Sequence, residues 1–325
     1  MKDSFGREIN YLRISVTDRC NLRCKYCMPN GAKFLSHDKI LSYEEFLRIA
    51  KVAVSLGINR FKITGGEPLV RKDCDKFIKE LKQMRGVEQV TLTTNGLFLE
   101  QYLELFREIS LDGINISLDS LDEATMRRIS GYMGEKNPVA IILNALQKSV
   151  EYGIRTKINA VLLKASESEI LPLVNLAKNL AVDVRFIELM PIGIGGISEG
   201  LDPDIAINLL KTEFSDLRES SDVRGNGPAK YFKSDKLKGQ IGFINAVSHK
   251  FCEGCNRMRI TSTGFLKECL CFNVGVDFRA ILRNGGSDDE LRDGFMRAIH
   301  AKPLEHAFGD KKLISEQNIM SSIGG

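Results

Sequence analysis

Residues 11–27 read YLRISVTDRCNLRCKYC, an apolar stretch that leads directly into three closely spaced cysteines. The spacing is Cys20-x-x-x-Cys24-x-x-Cys27, so this loop offers three thiolates. A 4Fe-4S cluster that only carries electrons normally has four cysteine ligands, and three would leave one iron open to a group that is not protein. A structural zinc site is the alternative, but closed zinc sites need four ligands, and no histidine lies within the loop. The spacing therefore favours an iron-sulfur cluster with chemistry at the metal.

A second set of three cysteines lies near the other end of the chain, at Cys252, Cys255 and Cys269. Each set could hold its own cluster, or the six thiolates could be shared between structural metals, and spacing does not decide between these arrangements. Of the remaining cysteines, Cys74 is predicted to lie in the first turn of a helix and Cys271 lies in an apolar stretch next to Cys269. Both are interpreted as packing residues, with a displaced ligand as the alternative for Cys271.

Composition and charge are those of an ordinary globular protein. Of the 325 residues, 43% are hydrophobic and 27% charged, and the net charge of +4 is too small to indicate nucleic-acid binding on electrostatic grounds. Residues 1–12 have no basic-then-apolar leader, and no apolar run approaches the roughly 18 residues of a membrane span. Many free thiols suit a reducing compartment, so we expect a cytosolic protein that contacts no membrane.

The first two-thirds of the chain alternates short β-like runs with amphipathic helical patterns, which is typical of βαβ units around a parallel sheet. The six predicted strands are Tyr11–Val16, Arg60–Thr64, Gln89–Thr93, Gly113–Leu118, Arg155–Leu162 and Asp183–Leu189. Ser42 with Glu45 predicts a capping box that opens one helix, and Ser166 with Glu169 predicts another. Pro138 is predicted to start a third helix, which stops at Gly153. Six strands are two short of a closed eight-stranded barrel.

Polar motifs follow several of these strands where each strand ends, which is where barrel active sites are built. They are the Cys20 loop, Gly65-Gly66-Glu67-Pro68, Thr93-Thr94-Asn95-Gly96, Asn115-Ile116-Ser117-Leu118-Asp119 and Glu188-Leu189-Met190. A Gly-Gly-Glu turn alone is more often just a tight turn, but its position here suggests that exposed backbone pairs with an amino or carboxylate group.

Taken together, Cys-x-x-x-Cys-x-x-Cys with Tyr26 before the third cysteine, followed by Gly-Gly-Glu-Pro, resembles the radical S-adenosylmethionine superfamily. The run from Cys252 through Cys255-Asn-Arg-Met-Arg-Ile260, with Cys269-Leu and a Gly324-Gly325 ending, is similar to the GTP 3',8-cyclase family across essentially the whole chain. That resemblance implies an α/β fold, an incomplete (β/α)6 TIM-type barrel with a C-terminal region covering its open side. It divides the chain into residues 1–215, the partial barrel, and residues 216–325.

The resemblance also implies an activity, the conversion of GTP to (8S)-3',8-cyclo-7,8-dihydroguanosine 5'-triphosphate, as the first step of molybdenum cofactor biosynthesis. Two 4Fe-4S clusters and S-adenosylmethionine are the implied cofactors, and a 5'-deoxyadenosyl radical would take hydrogen from ribose C3' of GTP before that carbon attacks C8. The implied ligands of the first cluster are Cys20, Cys24 and Cys27, and those of the second are Cys252, Cys255 and Cys269. The implied S-adenosylmethionine contacts are Tyr26, Gly66, Ser117 and Met190.

The positions that match the family's GTP contacts are Arg13, Lys62, Thr93, Lys157, Arg257, Met258 and Arg259, and Arg257 and Arg259 are also expected to be catalytic. Arg257 and Arg259 alternate along a strand, so their side chains point to one face. A triphosphate needs such positioned cations, although most lysines and arginines are solvated surface charges. Lys62 stands where the resemblance leads us to expect an arginine, and a lysine would reduce a forked phosphate contact to a point charge.

Two other functions remain open at this point: a radical S-adenosylmethionine peptide maturase and a zinc-stabilised binding module. The Arg257 and Arg259 pair and the Gly-Gly ending favour the nucleotide, and a zinc module does not explain ordered motifs at successive strand ends. The partners implied are a low-potential flavodoxin or ferredoxin as electron donor, the next enzyme of the molybdopterin pathway, and a second copy of the chain in a homodimer.

Overall fold

The computed structural model describes residues 1–28 and 31–324, and all elements below lie within them. The strands are β1 (Tyr11–Ser15), β2 (Arg60–Thr64), β3 (Gln89–Thr94), β4 (Gly113–Ser117), β5 (Thr156–Leu162), β6 (Asp183–Glu188), β7 (Arg218–Ser220), β8 (Lys230–Lys233), β9 (Ile241–Ile244), β10 (Arg257–Ile260), β11 (Phe265–Lys267) and β12 (Gly275–Asp277). The helices are α1 (Tyr43–Ser55), α2 (Cys74–Gln83), α3 (Leu103–Glu108), α4 (Glu123–Ser130), α5 (Pro138–Glu151), α6 (Ile170–Asn179), α7 (Pro203–Glu213), α8 (Phe278–Arg283), α9 (Asp288–His300) and α10 (Met320–Ile323).

All six predicted strands are present as β1 to β6, and their observed ends differ from the predicted ones by at most one residue. The first predicted capping box is also confirmed. The amide of Glu45 donates to Ser42 Oγ at 3.2 Å, and the amide of Ser42 donates to Glu45 Oε2 at 2.7 Å. At the start of α5, the Asn137 side chain accepts from two first-turn amides, so the Pro138 start is confirmed as well.

The second predicted capping box is wrong. Ser166 and Glu169 lie in a 3-10 segment, Lys164–Glu169, and α6 begins only after it, at Ile170. Glu169 Oε2 instead accepts hydrogen bonds from the amides of Leu121, at 2.6 Å, and Asp122, at 3.1 Å. The Glu169 carboxylate, which the local pattern predicted to cap a helix, instead makes a tertiary contact.

The described chain packs as two compact units. Unit 1 comprises residues 1–21, 27–93 and 252–325, and unit 2 comprises residues 22–26 and 94–251. Packing thus divides the chain differently from the predicted boundary at residue 215, which remains a prediction about the two functional parts. None of the helices in the described residues is long and apolar enough to cross a membrane.

Unit 1 has the strand order β12-β11-β10-β1-β2-β3. The four strands from β10 to β3 are parallel, and β11 and β12 extend this group as antiparallel neighbours of β10. Leu12 of β1, Phe61 of β2 and Met258 of β10 are register neighbours or partners that pack into the apolar core. The residues on either side of each along its strand therefore face the other way, where polar side chains collect.

Unit 2 repeats this arrangement with the order β4-β5-β6-β9-β8-β7. Strands β4, β5, β6 and β9 are parallel, and β8 and β7 continue the group as antiparallel neighbours. Phe186 and Phe243 are buried partners in the β6–β9 register, with ring centroids 5.6 Å apart. Asp183 and Arg185 of β6 are also buried, so this unit carries ionised groups within its packed interior.

Candidate active site

The segment that leads into the first cysteine set is held by the Gly-Gly turn after β2. The amide of Gly66 donates to the Thr17 carbonyl at 2.7 Å. A Cβ on Gly65 would lie 2.7 Å from the Thr17 oxygen, and one on Gly66 would lie 2.4 Å from the Arg19 oxygen. Only glycine permits this approach. The turn therefore positions the backbone next to Cys20, a role that the prediction of Gly66 as a cofactor contact did not include.

The middle of the same cysteine loop is anchored within unit 2. The amide of Arg23 donates to the Ser130 carbonyl at 2.8 Å, and the hydroxyl of Tyr26 donates to Asp119 Oδ2 at 2.8 Å. Asp119 Oδ1 accepts from the amide of Val161 at 2.8 Å. Burial raises the pKa of Asp119 to about 6, although both hydrogen bonds favour the ionised form. Asp119 thus fixes the aromatic ring that stands between two cysteines of the loop.

Two further predicted S-adenosylmethionine contacts lie in unit 2 with Tyr26. Ser117 is the last residue of β4 and Met190 comes two residues after the end of β6, and both are half-buried. The glycine-rich segment after Met190 forms a 3-10 turn, Gly193–Ile197. A Cβ on Gly195 would lie 2.5 Å from the Met190 carbonyl oxygen, so this turn packs directly on the backbone of a predicted contact residue.

Five predicted GTP contacts of unit 1 share one face of adjacent strands. Arg13 of β1 is the register partner of Arg259 in β10 and of Lys62 in β2. Cross-strand partners point to the same face, and Arg257 joins them because it is two residues from Arg259. Thr93 belongs to the same face, since it lies two residues beyond the β3 partner of Lys62. We call Arg257, Arg259, Arg13 and Lys62 the basic row.

The basic row is electrostatically strained and is contacted by the chain's last residues. Burial, together with the charges of Arg13 and Arg257, holds the pKa of Arg259 well below its usual range. Arg259 Nη1 donates to the carbonyl of Gly324 at 3.0 Å, which places the end of α10 against the row. Gly325, the other half of the predicted tail, lies outside the described residues. Concentrated positive charge of this kind is a site for an anion.

Met258 does not join the basic row. Its side chain is fully buried on the opposite face of β10, in register with Leu12. The predicted substrate contact of Met258 is therefore restricted to its backbone, and its side chain belongs to the apolar core. Because side chains alternate along a strand, Met258 faces the opposite side of β10 from Arg257 and Arg259.

Lys157, the remaining predicted GTP contact, lies in a buried ionic network of unit 2. Its Nζ is 3.2 Å from Asp183 Oδ2 and 2.8 Å from the Tyr231 hydroxyl, and it also donates to the Arg224 carbonyl. Burial and the nearby charge of Arg185 lower the pKa of Lys157 to about 8, while Asp183 acts in the opposite direction. The lysine is thus buried but already paired, and an anionic ligand would have to compete with Asp183.

The sequence prediction missed Arg185, which lies two residues from Asp183 on the same face of β6. Its Nε donates to Asn159 Oδ1 at 2.9 Å, and its Nη2 donates to Asn115 Oδ1. The signal that could have found it is a pair of opposite charges at alternate positions of a predicted strand, because such residues point inwards together. Arg185 adds a second buried cation beside Lys157.

The second cysteine set lies in unit 1, where all three thiols are half-buried. Burial opposes ionisation of Cys255, but the charges of Lys302, Arg257 and Arg7 outweigh it and lower the pKa of its thiol. A thiolate is the form that ligates metal, so this environment fits a three-cysteine 4Fe-4S site. Within the described residues no three Cys, His, Asp or Glu side chains form a cluster that could hold a single metal ion.

Cys74 and Cys271 are both fully buried, which agrees with their interpretation as packing residues. Cys74 begins α2, and burial raises the pKa of its thiol to about 12. Burial likewise raises the pKa of Cys271 to about 11.

Comparison with known protein families matches both parts of the chain. The radical SAM superfamily model covers residues 14–177, and the model described as Molybdenum Cofactor Synthesis C covers residues 182–308. A solved structure of Streptococcus suis SuiB bound to S-adenosylmethionine has a TM-score of 0.63 at 20% identity, covering 89% of this chain and 68% of that one. These matches define a radical SAM enzyme, and they confirm the predicted α/β fold class of the incomplete (β/α)6 barrel.

Curated relatives narrow the class to one family. A GTP 3',8-cyclase of Clostridium perfringens is 42% identical over 327 residues, and one of Petrotoga mobilis is 40% identical over 331 residues, each match covering 100% of both chains. The chain belongs to the GTP 3',8-cyclase family. The predicted role in molybdenum cofactor biosynthesis, the lyase class and the cofactors, 4Fe-4S clusters with S-adenosylmethionine, are confirmed by this membership.

Proposed function

We propose that the chain converts GTP to (8S)-3',8-cyclo-7,8-dihydroguanosine 5'-triphosphate and that the basic row binds this substrate. The observation that carries the proposal is the register of Arg259, Arg13 and Lys62 across three neighbouring strands, on one face. A triphosphate carries about four negative charges, and arginine forks and lysine point charges bind its oxygens. Substrate binding would relieve the mutual repulsion that now lowers the pKa of Arg259.

We propose that each cysteine set holds one 4Fe-4S cluster, the first in the predicted partial barrel, residues 1–215, and the second in the predicted C-terminal region, residues 216–325. Cys20, Cys24 and Cys27 would hold the first cluster, with Tyr26, Gly66, Ser117 and Met190 around S-adenosylmethionine, and Cys252, Cys255 and Cys269 would hold the second cluster. When bound, the first cluster and S-adenosylmethionine would supply the radical chemistry that the reaction needs at ribose C3'.

The chain's own residues would fix the geometry for that step. Asp119 holds Tyr26 in place by its hydrogen bond, and the Gly65-Gly66 turn holds the backbone before Cys20. Arg259 contacts the Gly324 carbonyl, so the tail lies beside the basic row where it can exclude water from the substrate. Lys157 and Thr93, the other positions that match the family's GTP contacts, are each proposed to add a polar contact to GTP.

We place the reaction in the cytosol, with a flavodoxin or ferredoxin as electron donor. The eight cysteines, all within the described residues, are free of disulfides, which suits a reducing compartment. A homodimer and transfer of the product to the next enzyme of the molybdopterin pathway complete the proposal. Both follow only from the resemblance to the GTP 3',8-cyclase family and are part of the proposal.

The test is anaerobic turnover of the reconstituted chain with dithionite, S-adenosylmethionine and GTP, following 5'-deoxyadenosine and the cyclic nucleotide by mass spectrometry. Both products should require GTP. Arg259→Ala should weaken GTP binding by roughly 10- to 150-fold, the range for a hydrogen bond to a charged group. Arg48→Ala is the matched control, because Arg48 pairs with Asp288 at the exposed surface.

Formation of 5'-deoxyadenosine with unaltered GTP would refute the substrate assignment and favour a peptide substrate. The likeness to SuiB does not itself support a peptide, because at 20% identity it shows only a common fold.

A further inference from the structure

Residues 302–307, which follow α9, contact the backbone and sulfur atoms of the second cysteine set. Lys302 is buried, and its Nζ donates to the Glu268 carbonyl at 2.6 Å, in the peptide unit that leads into Cys269. The amide of His306 donates to Cys252 Sγ at 3.4 Å. One short segment thus contacts both stretches of chain that carry the cysteines.

Arg7, from the opposite end of the chain, contacts the same region. Its Nη1 donates to the carbonyls of Cys252, at 3.0 Å, and Leu304, at 2.7 Å, and its Nη2 donates to the Pro303 carbonyl at 2.7 Å. Its Nε donates to Asp3 Oδ2 at 2.6 Å, which fixes the plane of the guanidinium. Both side chains of this pair are almost fully buried.

Arg7 and Lys302 are both buried cations, and Arg7 lies in an ion pair with Asp3. A buried ion pair gives little net stabilisation, because desolvation offsets the attraction. Arg7 and Lys302 come from distant parts of the sequence, and each donates to a carbonyl at or next to a cysteine of the second set. Groups just outside a metal's ligands orient those ligands, and charge and hydrogen bonding tune a cluster's reduction potential.

We propose that Arg7 and Lys302 are positioning residues for the second 4Fe-4S cluster, and that their charge raises its reduction potential. This inference rests on the proposed assignment of Cys252, Cys255 and Cys269 as ligands. Reduction adds negative charge to a cluster, so a nearby buried cation stabilises the reduced form. Arg7 holds the Cys252 stretch to residues 303–304, and Lys302 holds the Cys269 stretch to the end of α9.

The experiment measures each cluster separately in the full-length chain. One background carries Cys20→Ala, Cys24→Ala and Cys27→Ala, so that only the second cluster is loaded, and a second background removes the other three cysteines. Arg7→Gln, Arg7→Lys and Lys302→Met are made in each, with Arg48→Gln as the surface control. Iron per chain and the midpoint potential, followed by electron paramagnetic resonance, are the readouts.

We expect Arg7→Gln and Lys302→Met to lower the potential of the second cluster and leave that of the first unchanged. Arg7→Lys keeps the positive charge but loses the forked guanidinium. The second cluster should therefore have a potential close to that of the wild type but release iron to a chelator faster. Arg48→Gln should change neither cluster. Unchanged potentials at full iron content, or equal shifts in both clusters, would overturn the proposal.

Two possible complications have their own controls. If Arg7→Gln fails to fold because Asp3 is left buried without a partner, the double variant Asp3→Asn/Arg7→Gln removes the whole ion pair and tests the positioning role through iron content, while Lys302→Met tests the effect of charge on the potential independently. If the second-cluster background binds no iron before any further substitution, the ligand assignment of the proposed function is wrong, and this proposal fails with it.

Discussion

Replacing Gly324 by alanine should undock the C-terminal tail without unfolding the protein. Gly324 has a φ of +75°, and its carbonyl accepts the hydrogen bond from Arg259. A Cβ there would lie 2.9 Å from Ser15 Cβ and 3.3 Å from Thr64 Cγ2. Both neighbours are fully or almost fully buried on strands, so neither can move far aside.

The magnitude has two parts. The left-handed conformation costs an alanine about 1–2 kcal/mol, and overpacking against buried neighbours costs about 1–3 kcal/mol. Their sum, about 2–5 kcal/mol, lowers the ratio of docked to undocked tail by a factor of roughly 30 to several thousand. Because the tail can leave while the strands stay paired, the global free energy of unfolding should change little.

Hydrogen exchange of the tail, read by mass spectrometry, measures that ratio directly. The amide of Ser322 donates to the Ile319 carbonyl in the docked tail, so it should lose protection in Gly324→Ala. GTP turnover should fall in parallel. Two substitutions are controls. Gly285→Ala, with a φ of +77° but open space around the added Cβ, measures the cost of the left-handed conformation alone, and Gly309→Ala measures the effect of an added methyl group alone. Wild-type exchange and turnover in Gly324→Ala would refute this reasoning.

Three further substitutions test other parts of the structure. Glu316→Ala leaves Lys267 buried without its partner, and urea denaturation should show a loss of about 3–5 kcal/mol; a loss below 1 kcal/mol would contradict this. Burial raises the pKa of Asp119 from 3.8 to about 6, so the native state retains a proton across that window and wild-type stability falls as pH rises through it. Asp119→Asn should be more stable than wild type above about pH 6, with the difference vanishing towards pH 4, and a pH-independent difference would count against it. Gly66→Ala, with its Cβ 2.4 Å from the Arg19 oxygen, should reduce iron loading of the first cluster while the second is retained; full loading of both would exclude the proposed role of the turn.

Local patterns in the sequence were sufficient for the first six strands and for the helices that begin at Tyr43 and Pro138. Each of these has an apolar period and a capping residue within a few positions, so no distant contact is needed to recognise it. Strands β7 to β12 have only three or four residues each, too few to show a period. The Ser166–Glu169 pattern misled because the Glu169 carboxylate binds the amides of Leu121 and Asp122, residues far away in the sequence.

In the candidate site too, local sequence patterns predicted some features, and others depend on contacts between distant parts of the chain. Alternation along one strand predicted that Arg257 and Arg259 share a face, and the structure agrees. Their alignment with Arg13 depends on strand pairing, which the sequence of either strand alone does not contain. Arg7 and Lys302 carried no motif at all, and only the folded chain brings them to Cys252 and Glu268.

The pairing of β1 with β10 also determines when, during synthesis, this part of the sheet can form. Tyr11 pairs with Arg257, so one edge of β1 waits until the chain has been made as far as residue 257. At about 5–20 residues per second, that interval is on the order of 10–50 s. During this time β1 presents an unpaired edge, which favours association with other chains. The cysteine loop is translated directly after β1, yet the strand that supports this loop gains its second neighbour only after β10 has been made.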